Sequence, residues 1–160
     1  MTIQAQTSVN RFFTKHSASD NAISVDISGL LIKVAAKIAA EEHEAAKILA
    51  SINRLQVLVL EDENPVSADE MYDFTKKLRK DDFEDLMTIR EGKTRVNFLI
   101  REKNDKILNL LILVSEEDNF VMLNLKGKIK FSDLNKLNFD VEGSEHLKKI
   151  PKYKKDVPRA

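Results

Sequence analysis

Cysteine is absent from this chain of 160 residues. That excludes disulfides, thiolate metal centres, a cysteine nucleophile and a cysteine-borne lipid anchor within it. It leaves the compartment open, because cytosolic and exported domains can both lack cysteine. Net charge is absent too: 26 Lys and Arg balance 26 Asp and Glu, so no overall field favours nucleic acid or a membrane surface. Glycine occurs only at the isolated positions Gly29, Gly92, Gly127 and Gly143, which excludes a Gly-rich phosphate loop. The longest apolar run, Leu108 to Val114, is interrupted by Asn109 and is far shorter than the roughly 18 residues that cross a bilayer. Aromatic residues are few and lack the basic interleaving of RNA-binding sheets. No cofactor and no nucleic-acid partner is expected.

What is present suits one domain. Hydrophobic residues make up 42% and charged residues 32%, a globular composition with enough chain for one real core. Between Met87 and Leu125, apolar runs alternate with charged turns at Glu91-Gly92-Lys93, Lys103-Asn104-Asp105 and Glu116 to Asn119. The spacing predicts a four-strand antiparallel meander.

The rest reads as helices and one or two further strands. Thr7 to His16 forms a short helix with Ser8 as its cap and Val9, Phe12 and Phe13 as its apolar face. Ile23 to Ile27 alternates as a brief strand. Helical spacing then runs from Ser28 to Ile52, as one helix or as two divided near Glu41-Glu42. Leu55 to Leu60 is a strand. Ser67-Ala-Asp-Glu70 has the form of a capping box opening a helix to Lys80. Phe131 to Leu137 is a short helix capped by Ser132 or Asp133, and a last helical piece holds His146 and Leu147.

The expected fold is α+β, a two-layer sandwich with a mainly antiparallel sheet (strand, helix, then four-strand meander) covered on one face by helices. Residues 1–6 read either as the remnant of an export signal or as an ordinary polar terminus. Residues 7–147 form a single domain, and 148–160, with five lysines and Arg159, a basic flexible tail. In Arg95 to Arg101, the residues Arg95, Asn97 and Arg101 share a face, which points to a wet, partner-facing side of the sheet.

No catalytic or metal-binding set stands out. His16, His43 and His146 fall in three separate polar segments, without HExxH spacing or a Ser/His/Asp arrangement. Near Glu41 to Glu44, only His43 and a residue three or four away could chelate together; a structural or solvent-facing role suits all three histidines. The acidic groups at Glu61 to Glu63, Asp81-Asp82 and Glu116 to Asp118 sit where turns belong and read as solvated. Arg95, Arg101, Lys126, Lys128 and Lys130 can form a basic patch, though a solvated strand face explains them as well.

The order of features resembles domain-of-unknown-function family 4252, a group of small envelope proteins mostly from Bacteroidetes. The residues that carry the resemblance are Phe12-Phe13, Ile27-Ser-Gly-Leu-Leu31, Leu55-Gln-Val-Leu58, Phe83-Glu-Asp-Leu-Met87, Arg90-Glu-Gly92, Ile107 to Val114 and Leu123 to Ile129. The resemblance implies export to the periplasm or cell envelope, with a cytoplasmic location as the alternative; without cysteine the lipoprotein form is not expected. It carries over no catalytic residue. The expected function is a non-enzymatic module that binds an envelope protein or serves a structural role. The alternative is a small-ligand-binding domain with a pocket between helices and sheet, and a hydrolase using turn acids ranks last. The oligomeric state is not readable from the sequence.

Overall fold

A computed structural model describes residues 3–32, 43–137 and 143–158. In chain order its elements are α1 (Ile3–Ser17), β1 (Ala22–Ser28), α2 (His43–Ala50), β2 (Ile52–Leu60), α3 (Ala68–Lys80), β3 (Glu84–Glu91), β4 (Thr94–Lys103), β5 (Lys106–Ser115) and β6 (Phe120–Ile129). Three short 3-10 turns follow, at Phe131–Lys136, Ser144–Lys149 and Lys154–Asp156.

Turn chemistry builds the predicted meander. Asn104 and Asp105 both take positive φ, 53° and 62°, the type I′ geometry whose twist matches paired strands. Gly92 adopts φ 61° between β3 and β4, where a side chain would be strained. The sheet has six strands in the order β1-β2-β6-β5-β4-β3, antiparallel at every pairing. From these pairings β2 and β3 run the same way with three strands between them. A hairpin cannot make that link, and α3 provides the crossover.

The start of α3 is half of the expected capping box. Ser67 Oγ accepts from the Glu70 amide at 3.1 Å, but the Glu70 carboxylate turns to α1 instead of back to the cap. At the other end Asp82 takes φ 70°, and the Phe83 and Asp82 amides donate to Leu78 and Arg79 oxygens. That is a Schellman stop with aspartate in the left-handed position, which gives Asp81-Asp82 a structural role. The Phe131–Lys136 turn follows Lys130 and has no side-chain cap, so neither Ser132 nor Asp133 serves as one.

The α+β sandwich stands, but its sheet is covered on both faces. On one face Leu58, Leu60, Leu99, Leu111, Leu113, Phe120 and Met122 pack under α1 and α3. On the other, Val57, Phe98, Ile100, Leu110, Ile112 and Leu123 pack against Ile32, Ile48 of α2, and Leu134, Leu147 and Ile150 of the 3-10 segment. The reason is in the strands: Leu110 to Val114 and Leu55 to Leu60 are almost continuously apolar and are buried throughout, and such strands need two covers. Within the predicted flexible tail, Ile150 and Val157 are buried, and Lys154 bonds Glu102 at 2.6 Å and Glu84 at 3.2 Å. The proposed helix break at Glu41-Glu42 lies outside the described residues; Ser28 and Ile52 both belong to strands.

α1 begins at Ile3, so Ser8 lies within it and donates to the Asp81 carboxylate. Phe12 stacks on Phe74 with ring centroids 4.1 Å apart. His16 takes the structural of the two roles expected for it. It is 4% exposed, lies against Phe12, and places Nε2 2.6 Å from Glu70 Oε1. Burial raises the Glu70 carboxyl, but hydrogen bonds from Lys15 and His16 outweigh it and leave the group below its ordinary value of 4.5.

A depressed carboxylate contributes stability above its unfolded pKa and loses it as pH falls through the folded one. Glu70→Gln is therefore expected to cost about 1 kcal/mol near pH 7, a gap that closes below about pH 4; urea titrations across that range measure it, and a gap independent of pH contradicts the assignment. At Gly127 an added Cβ would lie 2.1 Å from the Ser51 oxygen, whereas at Gly92 it meets nothing. Gly127→Ala is expected to lose roughly 3 kcal/mol and Gly92→Ala only about 1 kcal/mol, for its φ alone. Equal losses in thermal melts would show that the Ser51 contact does not matter.

Candidate functional site

The face under α1 and α3 is apolar at one end only. The registers align Ser28, Arg54, Lys126, Asn109 and Arg101 in one line across β1, β2, β6, β5 and β4. The next line toward the apolar end begins Asp26, Gln56, Asn124 and then continues into Leu111 and Leu99. Register irregularities fall beside this line on each of its central pairings, between Ile52 and Arg54, between Ile107 and Asn109, and between Arg101 and Glu102. Bulges of this kind re-aim side chains and occur often beside binding sites.

Four of these eight polar groups are buried, while Arg54 and Lys126 are half-buried and Ser28 and Asp26 are exposed. Gln56, Asn109, Asn124 and Arg101 are 2%, 3%, 5% and 6% exposed. Arg54 grips the Asp26 carboxylate with two bonds of 2.8 and 2.6 Å, which holds that carboxyl below the usual carboxylate range. Gln56 donates to Asp26 at 3.4 Å, and Asn124 Nδ2 donates to Gln56 Oε1 at 2.9 Å. Arg101 Nε donates to Asn109 Oδ1 at 3.0 Å. Lys126 has no hydrogen bond or ion pair among the described residues. Burial, and then the neighbouring charges of Arg101 and Arg54, depress its pKa. Burial likewise lowers Arg101, with Asp82 and Asp81 opposing from a distance.

Three cations thus converge with one carboxylate in direct contact, and that carboxylate is bonded to Arg54. The line's free capacity is positive charge. A carboxylate or phosphate oxygen beside Lys126 would relieve the repulsion and satisfy the ammonium. Val9 and Asn10 of α1 close the line from above, leaving a cavity of about 10 Å³.

Of the residues expected to face a partner, Arg101 joins this line. Arg95 is exposed at the other end of β4, six residues and about 20 Å away. Asn97 is buried and accepts from Thr88 at 3.1 Å. The wet strand face is therefore a correction: at Asn97 and Arg101 the face lies under the helical layer. The predicted basic patch separates in the same way, with Arg101 and Lys126 brought together and Lys128 and Lys130 exposed beyond the bulge. Arg54, Gln56, Asn109 and Asn124 were missed. The signal for Gln56, Asn109 and Asn124 was a single polar residue inside an apolar strand run, which only the register makes into one site. Among the described residues no three metal-ligating side chains cluster, and no helix is long and apolar enough to cross a membrane.

Because Lys126 is burdened by burial and like charge, Lys126→Met is expected to stabilise the protein by about 1 kcal/mol, or roughly 3 °C in Tm. A fall in Tm would mean that Lys126 is a structural residue.

Among curated proteins and solved structures none matches the chain. A family model described as a domain of unknown function, DUF4252, matches residues 16–137. That match spans every strand of the sheet and all of the cationic line, and this chain belongs to the DUF4252 family.

Proposed function

We propose that this protein is a non-enzymatic binding module, exported to the periplasm or cell envelope, that holds an anionic group on the Arg54, Lys126 and Arg101 line. The observation that carries the reading is Lys126: an ammonium without a partner among the described residues, between two arginines, one of them 6% exposed. A fold gains no stability from such a cluster, and functional sites are where such costs are retained. The line lies between a helix and the sheet, which favours the ligand-binding alternative over the sheet-edge reading. Export rests on the family resemblance.

Thermal melts with acetate or inorganic phosphate at constant ionic strength test this. A hundredfold excess over Kd adds about 2.7 kcal/mol, so saturating anion is expected to raise Tm by roughly 5–10 °C, and Lys126→Met to abolish the rise. An equal response in wild type and variant, or none in either, rejects the site. Fractionation of the native host tests export, and a purely cytosolic signal rejects it.

A protein partner at the sheet edge is favoured by one observation. A groove of about 620 Å³ runs beside the open edge of β3, between Leu86, Met87 and Thr88 and the C-terminal Lys154, Val157 and Pro158. An extended peptide could add a strand there. A photocrosslinker at Thr88 should then give one discrete adduct from envelope extract that the double variant Glu84→Lys, Asp85→Lys loses; diffuse labelling counts against it.

A further inference from the structure

The cationic line carries a second demand besides charge. Asn124 is 95% buried by its 5% exposure, and its Oδ1 is the one buried side-chain atom among the described residues with no hydrogen-bond partner. Its orientation is set by a chain of bonds. Asp26, an ionised carboxylate, only accepts, so Gln56 must turn its amide nitrogen toward it. Gln56 Oε1 then faces Asn124 and takes a bond from Nδ2 at 2.9 Å. That leaves Asn124 with a carbonyl oxygen to spare. Asn124 lines the small cavity with Lys126, Arg54, Gln56 and Asn109. A buried acceptor without a donor is costly, and it stands one register step from the unpartnered ammonium of Lys126.

Resting on the anion-binding reading, we propose that the ligand is a carboxylate with a neutral hydrogen-bond donor on its α position, a hydroxyl or an amide N–H. The carboxylate meets Lys126, and the donor meets Asn124 Oδ1. An α-ammonium would also donate, but it would add a fourth cation to Arg54, Lys126 and Arg101, so free amino acids are rejected. Two sources share the accepted chemistry: a small 2-hydroxy acid, and the terminal residue of a peptide chain. The present cavity is about the size of one water, so the ligand must displace Val9 and Asn10, which α1 holds over it between Ser8 and Phe12.

Calorimetric titration of the full chain with acetate, glycolate, glycine and N-acetylglycine tests the proposal, with amide exchange in α1 followed in parallel. Glycolate or N-acetylglycine is expected to bind at least tenfold more tightly than acetate, with glycine weakest and α1 exchange altered near Val9. Whichever of the two preferred ligands binds better identifies the source. Asn124→Leu, which keeps the volume, should bring glycolate and N-acetylglycine down to the affinity of acetate. Equal binding of acetate and glycolate, both lost in Lys126→Met, would overturn the donor inference and leave the anion site intact. Binding of none of the four, with a water alone filling the cavity, would overturn both.

Discussion

Burial of the sheet on both faces is the constraint on which this structure depends. The central strands β2, β5 and β6 carry apolar side chains up and down, so neither face tolerates water over most of its area. Every other element answers that demand. α1 and α3 close one side, while α2 and the C-terminal 3-10 segment close the other. α3 reaches its place because β2 and β3 run in the same direction and need a crossover. The polar and basic C-terminal stretch is drawn in for the same reason, through Ile150 and Val157.

Against that background the polar end of the helix-covered face is an anomaly. In the strand row of Arg54, Lys126, Asn109 and Arg101, Arg101 is buried and Arg54 and Lys126 are half-buried, which is costly because buried charge needs partners and burial depresses any cation. The network meets most of its needs internally: Asp26 takes Arg54, Gln56 and Asn124 pass hydrogen bonds along, and Asn109 takes Arg101. Two groups are left over, the Lys126 ammonium and the Asn124 carbonyl. Both residues line the small cavity beneath α1, an element held by Phe12 on Phe74, Ser8 on Asp81 and the His16–Glu70 pair. Val9 and Asn10, the residues over the cavity, lie between the Ser8 and Phe12 anchors.

Much of the fold was legible in the sequence. The turn residues Gly92 and Asn104-Asp105 fixed the meander, and Ser67 fixed the start of α3. The second cover was less visible, although its signal was present: Leu110 to Val114 has no polar residue on either face. Alternation around Arg95, Asn97 and Arg101 suggested a wet face because it ignored what the neighbouring strands place beside Leu99. The site was nearly illegible. Gln56, Asn109 and Asn124 come from strands far apart in sequence, and single polar residues in strands are common. Only cross-strand register, set by long-range pairing and local bulges, shows that they form one line. The structural role of His16 was one of the two expected, but its partner, Glu70, is 54 residues away and was not visible.

The central claim is that the cationic line is kept for an anion, and the protonation of Lys126 tests it most directly. NMR of the lysine side-chain nitrogens, followed through an alkaline titration, gives its pKa with and without saturating acetate. The account predicts a value below the ordinary 10.5 in the free protein, moving upward when the anion binds. A Lys126 that titrates at its ordinary value, or one that acetate leaves unmoved, would contradict it.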